Sequence, residues 1–123
     1  MNVMNILSKK LSAGDILVTP VQRKEFTIEN ISPKGITLVL GTQWKTEIPA
    51  NCWEGIPDFL KGKGWVVIGA IHDYGAVPGT LEDYVNKTKP QKRSTGNYVA
   101  SVLEIAGIAE INRKPPSKIR LIT

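Results

Sequence analysis

Between residues 89 and 101 the sequence reads KPQKRSTGNYVAS, which concentrates cations, hydroxyl groups and one carboxamide in a short span. Ammonium and guanidinium groups neutralise phosphates, and hydroxyl groups donate hydrogen bonds to them. An asparagine amide can pair with adenine through two hydrogen bonds. The residues with this chemistry are Lys89, Lys92, Arg93, Ser94, Thr95, Asn97 and Ser101. Their spacing predicts a surface that binds a polymer of phosphates.

The charge of the chain is distributed unevenly. Residues 86–123 carry eight cations and two acids, a net charge of +6, whereas residues 1–85 carry eight cations and nine acids, a net charge of −1. Three of the C-terminal cations, Arg113, Lys114 and Lys118, flank a proline-rich turn. Such asymmetry is typical of polyanion binding, but a basic surface that only keeps the chain in solution would have the same composition.

Catalytic and metal-binding chemistry finds little support in the sequence. No Asp or Glu stands two residues before a lysine, which argues against the carboxylate–x–lysine pattern of metal-dependent nucleases. Cys52 is the only cysteine and His72 the only histidine, so a disulfide within the chain, a four-cysteine zinc site and a histidine cluster are excluded. We therefore expect a non-enzymatic protein without metal or cofactor, with Cys52 buried and His72 on a helix surface.

Two helices would position the phosphate-binding groups. Thr80 is a suitable N-cap for a helix that ends near Lys89, and Ser94 or Thr95 caps a second helix that Gly107 stops. The apolar stripe of the second helix consists of Val99, Val102, Leu103 and Ala106. Its opposite face, which we expect to be exposed, consists of Gly96, Asn97, Ala100, Ser101 and Glu104. Beyond it, residues 108–112 and 118–122 alternate and predict a hairpin.

The first half of the chain is rich in strand signals. Residues 15–19 form a short apolar run, residues 25–41 alternate around the turn SPKG and predict a β-hairpin, and residues 45–48 add a strand. Residues 1–15 predict a short helix or a frayed arm. Of the three tryptophans, we expect Trp53 and Trp65 in the core and Trp44 either at a sheet edge or stacked on a base.

Two segments are ambiguous. Residues 51–60 have a helical pattern, but an internal glycine and an internal proline argue for a short or broken helix. Residues 65–74 combine strand propensity with apolar residues at helical spacing. Because two helices follow, we interpret this segment as a helix.

The stretch YVASVLEIAGIAEI followed by KIRLI resembles the junction between recognition helix and wing in winged helix-turn-helix domains of bacterial and archaeal transcription regulators. The segment IGAIHDYGAVPGTLEDYV is similar to the two helices that precede that junction. The likeness covers about residues 65–122, and residues 1–60 resemble no family. The link from Val85 to Ser94 is longer and more basic than is usual before a recognition helix.

The resemblance implies that the second helix enters the major groove of duplex DNA, with Asn97 and Ser101 toward the bases and the wing cations on flanking phosphates. The predicted fold is α+β, an N-terminal antiparallel β-meander (1–50) packed on a C-terminal winged helix (51–123) within one compact domain. RNA as the ligand and a homodimer are both compatible with the sequence. The alternatives are a protein-interaction or dimerisation module, and the target-recognition domain of a restriction-modification type system. No apolar run suits a membrane span, and the basic residues near the start follow the apolar ones, so we expect a cytoplasmic protein.

Overall fold

A computed structural model describes residues 2–41, 44–69, 71–72, 75–89 and 95–122, and at residues 71–72 and 75–76 it describes the backbone alone. The fold is mixed α+β, as the sequence predicted. The described residues form four helices, a four-stranded antiparallel sheet, a three-stranded sheet and a two-stranded ribbon.

The four-stranded sheet is a meander in which each strand pairs with the next along the chain. Its strands are β1 (Ile16–Val18), β2 (Glu25–Ser32), β3 (Gly35–Leu40) and β4 (Trp44–Pro49). The predicted hairpin is confirmed, because Ser32 pairs with Gly35 across the turn and Phe26 pairs with Leu40 at the far end. Alternate side chains of β2 and β3, Phe26, Ile28, Ile36 and Leu38, are buried on one face.

The N-terminal segment forms helix α1 (Val3–Lys10), which packs on helix α2 (Ala50–Leu60). The N–H groups of Val3 and Met4, which have no partner within α1, donate to the Glu54 carboxylate at 2.8 and 2.9 Å. A carboxylate is the group that a helix N-terminus favours. The sequence segment that we interpreted as a short helix or a frayed arm is therefore an anchored helix.

Helix α2 is continuous although it contains both residues that argued for a break. Pro57 lies in its last turn, and the helix ends three residues later. Gly55 is required by a neighbour, since the Tyr84 hydroxyl passes over it to donate to the Cys52 carbonyl at 2.7 Å and would collide with a β-carbon there. The glycine is thus a packing residue. The helical pattern of residues 51–60 is confirmed, whereas the expectation of a short or broken helix is wrong.

The C-terminal half places two helices against a small sheet. Its elements are β5 (Val66–Val67), β6 (Ile71–His72), β7 (Gly75–Ala76), α3 (Leu81–Thr88), α4 (Gly96–Ile105), β8 (Ala109–Asn112) and β9 (Lys118–Leu121). Strand β9 lies between β5 and β8, and β6 pairs only with β7 among the described strands. The predicted N-cap is confirmed, because Thr80 Oγ1 accepts from Asp83 N. Gly107 has φ +76, the left-handed conformation that ends a helix.

The helix predicted over residues 65–74 is wrong in the residues that the structure describes. Val66 and Val67 instead pair with Ile119 and Lys118 of β9, and Ile68 N donates to Ser117 O at 3.0 Å. The pairing with a strand some fifty positions away outweighs the local helical spacing, which is a weak signal in β-branched residues. Trp65, expected in the core, is 39% exposed at the end of this strand.

The two halves of the chain share one core. Side chains from the four-stranded sheet, from all four helices and from the C-terminal sheet form one buried cluster, which includes Phe26, Ile36, Trp53, Leu81, Leu103 and Ile119. Trp53 is fully buried, as predicted, and its indole Nε1 donates to Ile48 O at 3.1 Å. Helix α4 lies against both β1 and α3, and this placement decides what the predicted binding residues can reach.

Candidate nucleic-acid interface

The ten residues predicted to bind DNA fall into three groups. Lys92, Arg93 and Ser94 lie outside the described residues. Lys89, Thr95 and Ser101 are buried, with exposed fractions of 3%, 0% and 4%. Asn97, Arg113, Lys114 and Lys118 are partly or fully exposed. The last group therefore contains the predicted side chains that a ligand can reach in the described part of the fold.

The face of α4 that we expected to be exposed is largely buried, which corrects the sequence interpretation. Ser101 Oγ donates to Val18 O of β1 at 2.5 Å, and Ala100 is fully buried. Gly96 lies so close to α3 that an added β-carbon would stand 3.1 Å from Glu82 Cα. The central turns of α4 pack inside the protein, so this face is covered where a duplex groove would have to receive it.

The start of α4 also differs from the expectation, because part of its anion-binding capacity is already used. The fully buried carboxylate of Glu82 accepts hydrogen bonds from Gly96 N at 2.8 Å and from Thr95 N at 3.3 Å. These are two of the N–H groups that a helix leaves without an intrahelical partner. Glu82 therefore occupies the position where we expected a phosphate, and Thr95, at the N-cap, makes no side-chain capping bond.

Lys89, at the C-terminal end of α3, is buried rather than turned toward solvent. It lies near Cys52, whose pKa burial raises to about 11, against smaller lowering effects of a hydrogen bond with Thr88 and of the Lys89 charge. Cys52 is fully buried, as predicted. The nearby Tyr84 hydroxyl also has a raised pKa, mainly because of burial. This cluster joins two helices, and its thiol stays protonated at neutral pH.

The cations around the predicted wing are partly neutralised within the fold. Arg113 forms two hydrogen bonds with the Glu104 carboxylate, at 2.9 and 2.6 Å, and its Nε donates to Pro20 O at 3.1 Å. The bonds with Glu104 raise the pKa of Arg113. Arg120 pairs with Glu110. Lys114 is exposed, and Lys118 Nζ donates to Pro116 O at 3.2 Å.

An open cleft of about 830 Å³ lies where the two halves of the chain meet. Five segments line it: residues 19–24 between β1 and β2, residues 63–69 around β5, residues 77–80 before α3, the first turn of α4, and residues 115–117 at the tip of the β8–β9 hairpin. The hairpin tip, the start of α4 and the N-terminal sheet thus converge on one concave surface. The predicted residue that lines it is Asn97.

The lining of the cleft is basic. Lys24 and Lys63 are part of it, and none of the described residues that line it is Asp or Glu. Neither lysine forms an ion pair within the described part of the chain. Three further exposed cations, Arg23, Lys61 and Lys114, lie within two sequence positions of lining residues, as does the exposed Glu25, and we call the three cations the basic rim. A concave surface lined by one sign of charge concentrates ligands of the opposite charge.

Local structure holds both cleft lysines in place. Thr19 and Lys24 close the loop between β1 and β2 by two bonds of 2.9 Å, one from Thr19 N to Lys24 O and one from Lys24 N to Thr19 Oγ1. Lys63 follows α2 in a turn in which its N–H donates to Leu60 O, and its Nζ lies 3.9 Å from the centre of the Phe59 ring. The cleft is therefore charged by residues on short, hydrogen-bonded loops.

Aromatic rings and two side-chain amides, those of Gln22 and Asn97, complete the lining. The Arg120 guanidinium lies 4.3 Å from the centre of the Trp65 indole and is held by Glu110, which orders the ring. Tyr98 packs edge-to-face on Phe26 at 5.1 Å between ring centres. The Asn97 amide has no hydrogen-bond partner among the described residues. The site thus presents cations, aromatic surface and a free donor–acceptor group together.

Sequence reasoning missed Lys24, Lys63 and Trp65. The stretch KGKGW, residues 61–65, was the available signal, because it interleaves cations, glycines and an aromatic ring, a combination found where nucleic acid is bound. Only the tertiary fold brings it to Asn97, which lies more than thirty positions further along. Lys24 had no comparable signal in its own neighbourhood.

Comparisons with known proteins find no match for this chain, whether among protein-family models, among curated proteins or among solved structures. Within the described ranges, no three His, Cys, Asp or Glu side chains come together in a group suited to a metal ion. The helices of the described residues are all too short or too polar to cross a membrane.

Proposed function

We propose that this protein binds nucleic acid through the basic cleft and its rim. The observation that carries the proposal is the composition of the cleft: two lysines without ion pairs, two aromatic rings, an unpartnered amide and no acidic residue among its described lining. Phosphate attraction supplies most of the affinity of such surfaces, and stacking and amide contacts add to it.

The order of the C-terminal elements supports a winged-helix relationship as part of this proposal. Helices α3 and α4, then Gly107, then the β8–β9 hairpin follow one another as the sequence resemblance implies. The wing is the β8–β9 hairpin, whose tip lines the cleft. The mode of binding that we propose differs from groove insertion, since β1 covers the middle of α4 at Ser101 and α3 packs on its first residue, Gly96. The start of α4, the wing and the N-terminal loop would contact the ligand instead.

The decisive experiment is a set of anisotropy titrations with duplex DNA, single-stranded DNA and RNA at low salt. We expect the double variant Lys24→Ala/Lys63→Ala to bind at least one of these ligands more weakly than the wild type. The matched control is Lys9→Ala/Lys10→Ala, which removes two exposed cations outside the cleft lining. Equal affinities of the two double variants would refute the assignment of the cleft.

The sequence-derived cations Lys92 and Arg93 provide a separate arm of the same experiment. Replacing both with alanine is expected to weaken binding to all sequences alike, because phosphate contacts carry no sequence information. If wild-type protein binds none of the three nucleic acids, the protein-interaction alternative takes the place of this proposal.

A further inference from the structure

We infer that the cleft receives one unpaired nucleotide of a polynucleotide, with the base against Trp65, the Asn97 amide at the base edge and the adjoining phosphates near Lys24 and Lys63. This inference rests on the proposed function and deepens it by naming the ligand class. It assigns recognition to the cleft between the two halves rather than to an exposed helix face.

The size of the cleft favours an unpaired nucleotide over a duplex. A volume of about 830 Å³ lies within the range of about 300–1,000 Å³ typical of pockets for small ligands. A sphere of that volume is about 12 Å across, which is the width of the major groove alone, and a whole duplex is wider than one of its grooves. A duplex can therefore lie over the rim, but only an unstacked base with its sugar and phosphate can enter.

The chemistry of the lining favours a base over a simple anion. An inorganic anion would need the lysines alone, whereas the indole of Trp65 and the amide of Asn97 offer a stacking surface and two directions of hydrogen bonding. Because Arg120 contacts Trp65 without lining the cleft, its guanidinium can hold the ring from one side while another part of the ring faces the ligand.

Trp65 is suited to stacking because its ring is held in place before a ligand binds. Trp65 is 39% exposed, and the guanidinium that lies on its ring is paired with Glu110, which restricts the movement of the ring. A pre-ordered aromatic side chain loses little conformational freedom when a base stacks on it. Trp44, which is 56% exposed on β4, lies outside the cleft lining and serves as the natural control.

The test compares two single strands of equal length and charge, an oligothymidine and a fully abasic strand, by anisotropy with wild-type protein and the variants Trp65→Ala, Trp65→Phe and Trp44→Ala. We expect wild type to bind the oligothymidine about 5- to 150-fold more tightly than the abasic strand, which is the contribution of one stacked base. Trp65→Ala should abolish this preference, Trp65→Phe should retain most of it, and Trp44→Ala should leave it unchanged.

The outcomes separate this inference from the function on which it rests. Absence of binding to either strand by wild type would overturn this inference, and the proposed function as well only if duplex DNA and RNA also failed to bind. Salt-dependent binding of equal strength to both strands would preserve a phosphate-binding surface and overturn the inference alone, as would equal behaviour of Trp65→Ala and Trp44→Ala. An acidic peptide of equal charge that competes as well as the oligothymidine would also overturn it. Circular dichroism of each variant establishes that Trp65→Ala is folded. As a second test, Asn97→Ala is expected to change the preference among the four bases.

Discussion

Replacing Gly96 with alanine distinguishes a buried α4 from an exposed recognition helix by the sign of its effect. If Gly96 lay on an exposed helical face, alanine would stabilise the protein by up to about 1 kcal/mol, since glycine is the poorer helix former. In the structure, the new β-carbon would stand 3.0 Å from Glu82 Oε1 and 3.1 Å from Glu82 Cα. The backbone atom cannot move without moving α3.

The expected magnitude follows from these distances. Overpacking of this kind costs about 1–3 kcal/mol, and displacement of the carboxylate would weaken its 2.8 Å bond with the helix start. After subtraction of the gain in helix propensity, we expect the free energy of unfolding to fall by about 1–2 kcal/mol. With a urea m-value of about 1–3 kcal/mol/M, the unfolding midpoint should fall by about 0.3–2 M.

A second substitution on the same face should also change stability in opposite directions for a buried and for an exposed helix. Ser101→Ala removes the hydroxyl that donates to Val18 O and leaves that carbonyl without this partner, which costs about 1 kcal/mol or more. On an exposed helix the same change would stabilise by about 0.5 kcal/mol. Ser8→Ala, on the exposed side of α1, is the matched control and should change stability by less than about 0.5 kcal/mol. Stabilisation by both α4 variants in urea unfolding would refute the inward packing of this helix.

Three further outcomes are expected. Because the Cys52 thiol is buried with a pKa raised from 9.0 to about 11, it should react with a thiol reagent at pH 8 only after unfolding. Its contribution to the free energy of unfolding, up to about 2–3 kcal/mol, should be intact below pH 9 and lost as pH rises to 11. The melting temperature should decline over this range, and Cys52→Ala should remove that decline. Gly35→Ala should strongly lower the melting temperature, because φ is +147 there and a β-carbon would collide with the Ile48 carbonyl. Glu104→Ala should cost less than about 1 kcal/mol in urea unfolding, since its ion pair with Arg113 is partly exposed.

Local signals predicted most of the elements. The hairpin of β2 and β3 follows from strict alternation around a turn, and the ends of α3 and α4 follow from Thr80 and Gly107. The failures among the described elements, β5 and β6, both lie in the segment predicted as a helix. Strand β5 has two residues and depends on β9, a partner that no local pattern identifies, and β6 pairs with β7.

The candidate site was less predictable because the exposure of its side chains depends on which distant segments pack against them. Ser101 and Ala100 are small, and small residues suit both a helix face that approaches DNA and one that packs closely on a strand. The choice between these roles depends on Val18, more than eighty positions earlier in the chain. Similarly, Glu82 lies in the first turn of α3 along the sequence, but its carboxylate accepts hydrogen bonds from the start of the next helix.

The salt dependence of binding tests the basic cleft most directly. For single-stranded nucleic acid, each neutralised phosphate contributes about 0.7 to the slope of log affinity against log salt. If Lys24 and Lys63 each neutralise one phosphate, their double alanine variant should reduce the slope by about 1.4, whereas Lys9→Ala/Lys10→Ala should leave it unchanged. The same slope for wild type and both double variants would contradict the account.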